Sequence, residues 1–130
     1  MRENTVINKT AAYLEGKGWV ILEKNLGNKH GVDLKAKNLK KARYYYIEAK
    51  GDPNGKNVAS LRANYFAGVI GQIVLRVESK KYSHYGVALP KSYEKMLKRV
   101  HPNVMRRLNL RFFIVGRGKD VKEIGLYNKN

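Results

Sequence analysis

The chain has no cysteine, few acids and no apolar run of bilayer length. The lack of cysteine among its 130 residues excludes disulfides, thiolate nucleophiles and cysteine-ligated zinc. Its apolar runs all break before the roughly 18 residues that a membrane-spanning helix needs. The opening Met1-Arg2-Glu3-Asn4-Thr5 lacks the basic-then-apolar order of a secretion signal. These absences predict a soluble, intracellular, cytoplasmic protein with no membrane partner. The shortage of acid is the most telling: 10 Asp+Glu stand against 27 Lys+Arg, for a formal net charge of +17. Such an excess costs self-repulsion, which a polyanion relieves, and nucleic acid is the leading candidate.

The length predicts one domain spanning residues 1–130, large enough to bury a core. No repeat or low-complexity segment interrupts it. Val6, Ile7, Thr10, Ala11 and Leu14 recur at helical spacing and predict a helix over residues 3–17, stopped by Gly16 and Gly18. Residues 19–25 read as a strand, with Trp19 in the core, and 27–31 as a loop. Strands are expected at 32–37 and 42–50, joined by a turn at Asn38-Leu39-Lys40-Lys41 that would set Lys37 opposite Ala42 and Asp33 opposite Tyr46. Residues 60–79 form the longest predicted helix, with Gln72 and Arg76 one turn apart on its polar side. A strand at 85–89, a basic helix at 92–100 and strands at 110–115 and 121–124 complete the order. The expected class is α/β, a mixed sheet flanked by helices.

One stretch conflicts with a surface built to meet phosphate. Ile47-Glu48-Ala49-Lys50-Gly51 places an acid and a lysine two apart, and Asp33 in Gly31-Val32-Asp33 lies one hairpin upstream. In a strand Glu48 and Lys50 share a face while Ala49 points to the core. Two acids there would repel a phosphate unless a divalent cation joined them. Taken alone, Glu-x-Lys reads as a solvated strand face; the apolar run before it, the glycine after it and the upstream acid give it meaning together.

Gly31-x-Asp33, Ile47-Glu48-x-Lys50-Gly51 and a long helix carrying Gln72, in this element order, resemble the PD-(D/E)xK nuclease superfamily over residues 3–89. The layout is similar to archaeal Holliday-junction resolvases and Mrr-like restriction endonucleases. Asp33 follows valine where the family pattern has proline, and Gly27-Asn28-Lys29 lacks the serine that resolvases carry. The resemblance implies a restriction-endonuclease-like core and a Mg²⁺-dependent (or Mn²⁺-dependent) endonuclease acting on DNA. It implies metal ligation by Asp33, Glu48 and the carbonyl of Ala49. Lys50 would orient or deprotonate the attacking water. Glu3 matches an acid that some members supply from their first helix, though an acid at a helix start also suits the dipole. Gln72 matches a polar residue that some members place beside the site.

Contacts with nucleic acid are expected from Lys29, His30 and Arg76, and from the basic C-terminal third: Lys91, Lys95, Lys98, Arg99, Arg106 and Arg107. Tyr45 should pack inward with Ile47, while Tyr44 and Tyr46 line the cleft floor. A single site cuts one strand, so a double-strand or junction cut would need a homodimer. A non-catalytic nucleic-acid-binding module of the same fold, or an RNA-processing nuclease, would carry the same charge.

Overall fold

The computed structural model describes residues 1–27, 31–77 and 83–125. Its elements run α1 (Glu3–Gly16), β1 (Val20–Lys24), β2 (Leu34–Asn38), β3 (Arg43–Ala49), α2 (Val58–Arg76), β4 (Ser83–Pro90), a 3₁₀ helix (Lys91–Arg99), α3 (Pro102–Leu108), β5 (Leu110–Val115) and β6 (Val121–Ile124). The strands form one six-stranded sheet in sequence order. β3, β4 and β5 pair in parallel, and the flanking pairs are antiparallel. This is the mixed sheet flanked by helices that the alternating pattern predicts.

Alternation along the strands divides the core between the two faces. On one face, Val6, Ile7, Ala11 and Leu14 of α1 pack against Leu34, Ala36, Tyr45, Ile47, Ala88 and Phe113. On the other, Phe66, Val69 and Ile73 of α2 meet Tyr85, Val87, Leu89 and Phe112. Tyr93 of the 3₁₀ helix joins this second cluster. The inward placement of Tyr45 and Ile47, both fully buried, agrees with the sequence reading. Trp19 is only partly buried and leans on Tyr45 at 5.1 Å between ring centroids.

Four expectations need correction. The turn between β2 and β3 occupies residues 39–42, one later than expected, with Ala42 at φ 50°. Lys37 therefore pairs with Tyr44, and Lys35 with Tyr46. The slip is two residues, so every side chain keeps its face. The helix expected at 60–79 runs Val58–Arg76, its last expected residue lying outside the described residues. At 19 residues and mean hydropathy 1.3 it is long and apolar enough, by length and composition, to cross a bilayer. The sequence reading found no such segment because Arg62, Asn64 and Gln72 interrupt it; here it lies on the sheet through Phe66, Val69 and Ile73. The basic segment after β4 is a 3₁₀ rather than an α-helix. Finally, α3 was not foreseen. His101 caps it through Nδ1, which accepts from the Asn103 N–H at 3.1 Å, Pro102 opens it and Asn109 closes it at φ 52°.

Gly86 lies where β4 crosses the densest part of the α1-side core. A Cβ there would meet the Phe113 ring at 2.8 Å and the Ile47 side chain at 3.0 Å. Gly86→Ala is expected to overpack this core and cost about 1–3 kcal/mol. Chemical denaturation reads it, as a lower midpoint with an unchanged slope.

Candidate active site

The hairpin of β2 and β3 brings the two sequence-selected acids together. Asp33 occupies a bend just before β2. Asn25 fixes that bend: its backbone N–H donates to the Asp33 carbonyl at 2.9 Å, and its side-chain amide to the Val32 carbonyl at 2.7 Å. Asp33 Oδ2 accepts the Ala49 N–H at 2.8 Å, clamping the acid to the end of β3. Glu48 precedes that amide on the same sheet face and is almost wholly buried. Across the hairpin the Asp33 carboxyl is near enough for its charge to act on that of Glu48.

Burial pushes the Glu48 carboxyl up to about 7, and the charge and hydrogen bond of Asp33 push it the same way. Arg76 opposes them, its Nε donating to Glu48 Oε1 at 2.5 Å. Arg76, expected at a phosphate, is thus a partner of the acid pair, supplied by the last turn of α2. Sequence spacing on the helix alone gave no sign of this pairing.

Lys50 and Glu3 flank the pair. The Lys50 N–H donates to the Ala88 carbonyl at 3.1 Å, continuing the β3–β4 pairing. Its ammonium stands 4.7 Å from the Tyr65 ring centroid. Glu3 and Lys50 line one cavity of about 570 Å³, together with Gly51, Asp52, Asn54 and Tyr65. Burial raises the Glu3 carboxyl, the charge of Asp33 raises it further and Lys50 draws it back, so Glu3 feels both residues. Gly51 makes this approach of α1 possible. A Cβ on it would lie 2.5 Å from the Glu3 nitrogen and 2.8 Å from the Met1 carbonyl. The 3₁₀ helix starts beside the same corner: Tyr93 OH donates to the Gly51 carbonyl at 2.8 Å, and Ser92 hydrogen bonds to Asp52.

Other sequence-selected residues stand apart. Gln72 is exposed one turn before Arg76, and no hydrogen bond from it to the acids occurs among those described. Lys91, Lys95, Lys98, Arg99, Arg106 and Arg107 are all exposed on the 3₁₀ helix and α3. Lys29 and His30 lie outside the described residues. A larger cavity of about 680 Å³, lined by Trp19, Arg43, His84, Arg111 and Glu123, lies away from the acid pair. Its arginines already bond to His84 and Glu123.

Among the described residues, no group of three His, Asp or Glu side chains stands ready to cage a metal ion. The donor chemistry nevertheless fits Mg²⁺, which commonly uses one or two carboxylates and keeps its waters. A buried carboxyl raised by its carboxylate neighbour is also a place where a divalent cation relieves repulsion.

No model of a known protein family matches the chain, and no curated protein matches it. Solved structures do. An XisH family protein from Nostoc punctiforme PCC 73102 superposes with a TM-score of 0.58 at 15% identity, over 94% of this chain and 98% of that one. An fdxN element excision controlling factor protein from Anabaena variabilis superposes with a TM-score of 0.53 at 15% identity, over 91% of this chain and 96% of that one. At this identity the likeness establishes the fold.

In metal-free protein the folded state keeps the Glu48 proton to about pH 7, whereas the unfolded chain releases it near 4.5. Stability contributed by this group is therefore full below the unfolded value and lost as pH rises towards 7. Glu48→Gln, which keeps an acceptor for Arg76, is expected to flatten that decline. Thermal unfolding in chelator from acid to neutral pH reads it, and an unchanged slope would assign the decline to other groups.

Proposed function

We propose that this protein is a Mg²⁺-dependent endonuclease of the PD-(D/E)xK type that hydrolyses DNA phosphodiester bonds. The observation that carries this reading is the approach of Asp33 to Glu48 at the end of one hairpin, with Lys50 two residues beyond Glu48 and lining a cavity with Glu3. Asp33 and Glu48 would hold the ion, with the Ala49 carbonyl as a further ligand. Mn²⁺ suits the same oxygen set. When bound, the ion supplies positive charge at the phosphate and lowers the pKa of a water.

The chain's own groups do the rest. Arg76 fixes the orientation of Glu48 and offsets its charge. Lys50, braced by Tyr65, turns its ammonium towards the phosphate oxygen and positions the attacking water. Glu3 closes the other side of the cavity and balances Lys50. The exposed cations of the 3₁₀ helix and α3 hold the backbone of the substrate, making affinity salt-dependent. Action on DNA accords with the name of one structural neighbour, an element excision controlling factor. Two cuts in one substrate would call for two copies of the chain.

A second reading keeps the fold without the chemistry. The ion pair of Arg76 with Glu48 favours it, because that guanidinium already supplies a cation to the acid pair. Incubation of supercoiled and branched DNA, and of structured RNA, with Mg²⁺ or Mn²⁺ separates the readings. The expected result is metal-dependent cleavage of DNA, abolished by chelator. Asp33→Asn, Glu48→Ala and Lys50→Ala should each slow it by about a hundredfold or more, while the circular dichroism spectrum stays unchanged. DNA binding with no metal-dependent cleavage would establish the binding module; cleavage of RNA alone would reassign the substrate.

A further inference from the structure

On the sheet face that carries Asp33 and Glu48, the hairpin continues as an alternating row of lysine and tyrosine. Lys35 pairs across the strands with Tyr46, and Lys37 with Tyr44. All four side chains are half-buried. The rings of Tyr44 and Tyr46 are stacked, 6.4 Å apart at an interplanar angle of 26°, and Tyr46 stacks in turn on Tyr85 at 5.9 Å. Against this column the ammonium groups are fixed in place. Lys35 Nζ lies 5.7 Å and 5.5 Å from the Tyr44 and Tyr46 centroids, and Lys37 Nζ 5.4 Å from that of Tyr44. A lysine leaning on a ring is attracted to its negative face and loses rotamer freedom before any ligand arrives.

The spacing gives this row a purpose. Same-face residues in a strand stand about 6.6 Å apart, close to the separation of successive phosphates along one nucleic-acid strand. Lys35 and Lys37 stand at that interval on β2, and Asp33 precedes them in the bend. The nearest acid opposite Lys35 is Glu23 on β1, which is exposed and forms no ion pair among the described residues. Val20, opposite Lys37, carries no charge.

We propose that the Lys35–Tyr46 and Lys37–Tyr44 pairs form a track for one nucleic-acid strand, in which the two lysines hold the two phosphates next to the one at Asp33 and Glu48. The phosphate at Asp33 and Glu48 rests on the nuclease reading; the two lysine contacts do not. The tyrosines act as positioning residues, setting where each ammonium stands.

The test measures affinity against salt concentration for labelled single-stranded and duplex DNA, without divalent metal, so that binding is read apart from cleavage. Lys35→Gln and Lys37→Gln should each reduce the slope of log affinity against log salt by about 0.9 for duplex or 0.7 for single strand. The double variant should lose twice that, and Lys37→Arg should restore its share. Glu23→Gln should strengthen binding. Slopes unchanged in both glutamine variants, with thermal midpoints like the wild type, would overturn the track. Metal-dependent cleavage with unchanged slopes retains the hydrolase and removes the track. Reduced slopes in a protein that never cleaves do the reverse.

Discussion

A buried carboxyl, that of Glu48, meets the half-buried Asp33 at one end of the β2–β3 hairpin, and the local architecture answers the cost of that meeting. Asp33 is held by a backbone amide, that of Ala49. Glu48, two-sided between its neighbour and the guanidinium of Arg76, holds its proton to about neutral pH. Each answer comes from a different element: the bend before β2, the end of β3 and the last turn of α2. Moving any one of them would leave the buried Glu48 carboxyl without one of its neighbours. The hairpin, the crossover helix and their relative placement are therefore tied to the acid pair as firmly as to the hydrophobic core.

The rest of the charge distribution stands in contrast to this corner. Against a net charge of +17, two further acids have several partners while others, Glu23 among them, stay exposed. Glu123 serves Arg111, Tyr13 and Tyr45, and Asp52 accepts from Ser92. Local neutrality is kept at a few points while the surface as a whole stays cationic. A surface of this kind attracts phosphate backbones without sequence preference.

The course of the chain was legible in the sequence wherever periodicity was strong. The helical stripe of Val6, Ile7, Ala11 and Leu14 and the inward Tyr45 and Ile47 followed from spacing alone. The hairpin register was off by two because Ala42, a residue with no turn preference, takes a left-handed conformation. Glu48 and Lys50 were recognisable because an acid and an amine interrupt an apolar strand. The ion pair of Arg76 was invisible, since a helix and a strand far apart in sequence reveal their facing residues only after packing. The same holds for the lysines of β2, whose neighbours across the hairpin depend on the register. A signal for α3 did exist in His101-Pro102 followed by Asn109, a cap, an N1 proline and a left-handed stop.

The contact at Gly51 has a practical side. The amino group of Met1 lies 2.8 Å from Asp52, on the rim of the same cavity that holds Lys50. Anything fused ahead of Met1 would cross that opening. A polyhistidine leader joined there would replace that ammonium by an amide and set imidazoles beside the cavity that Glu3 and Lys50 line.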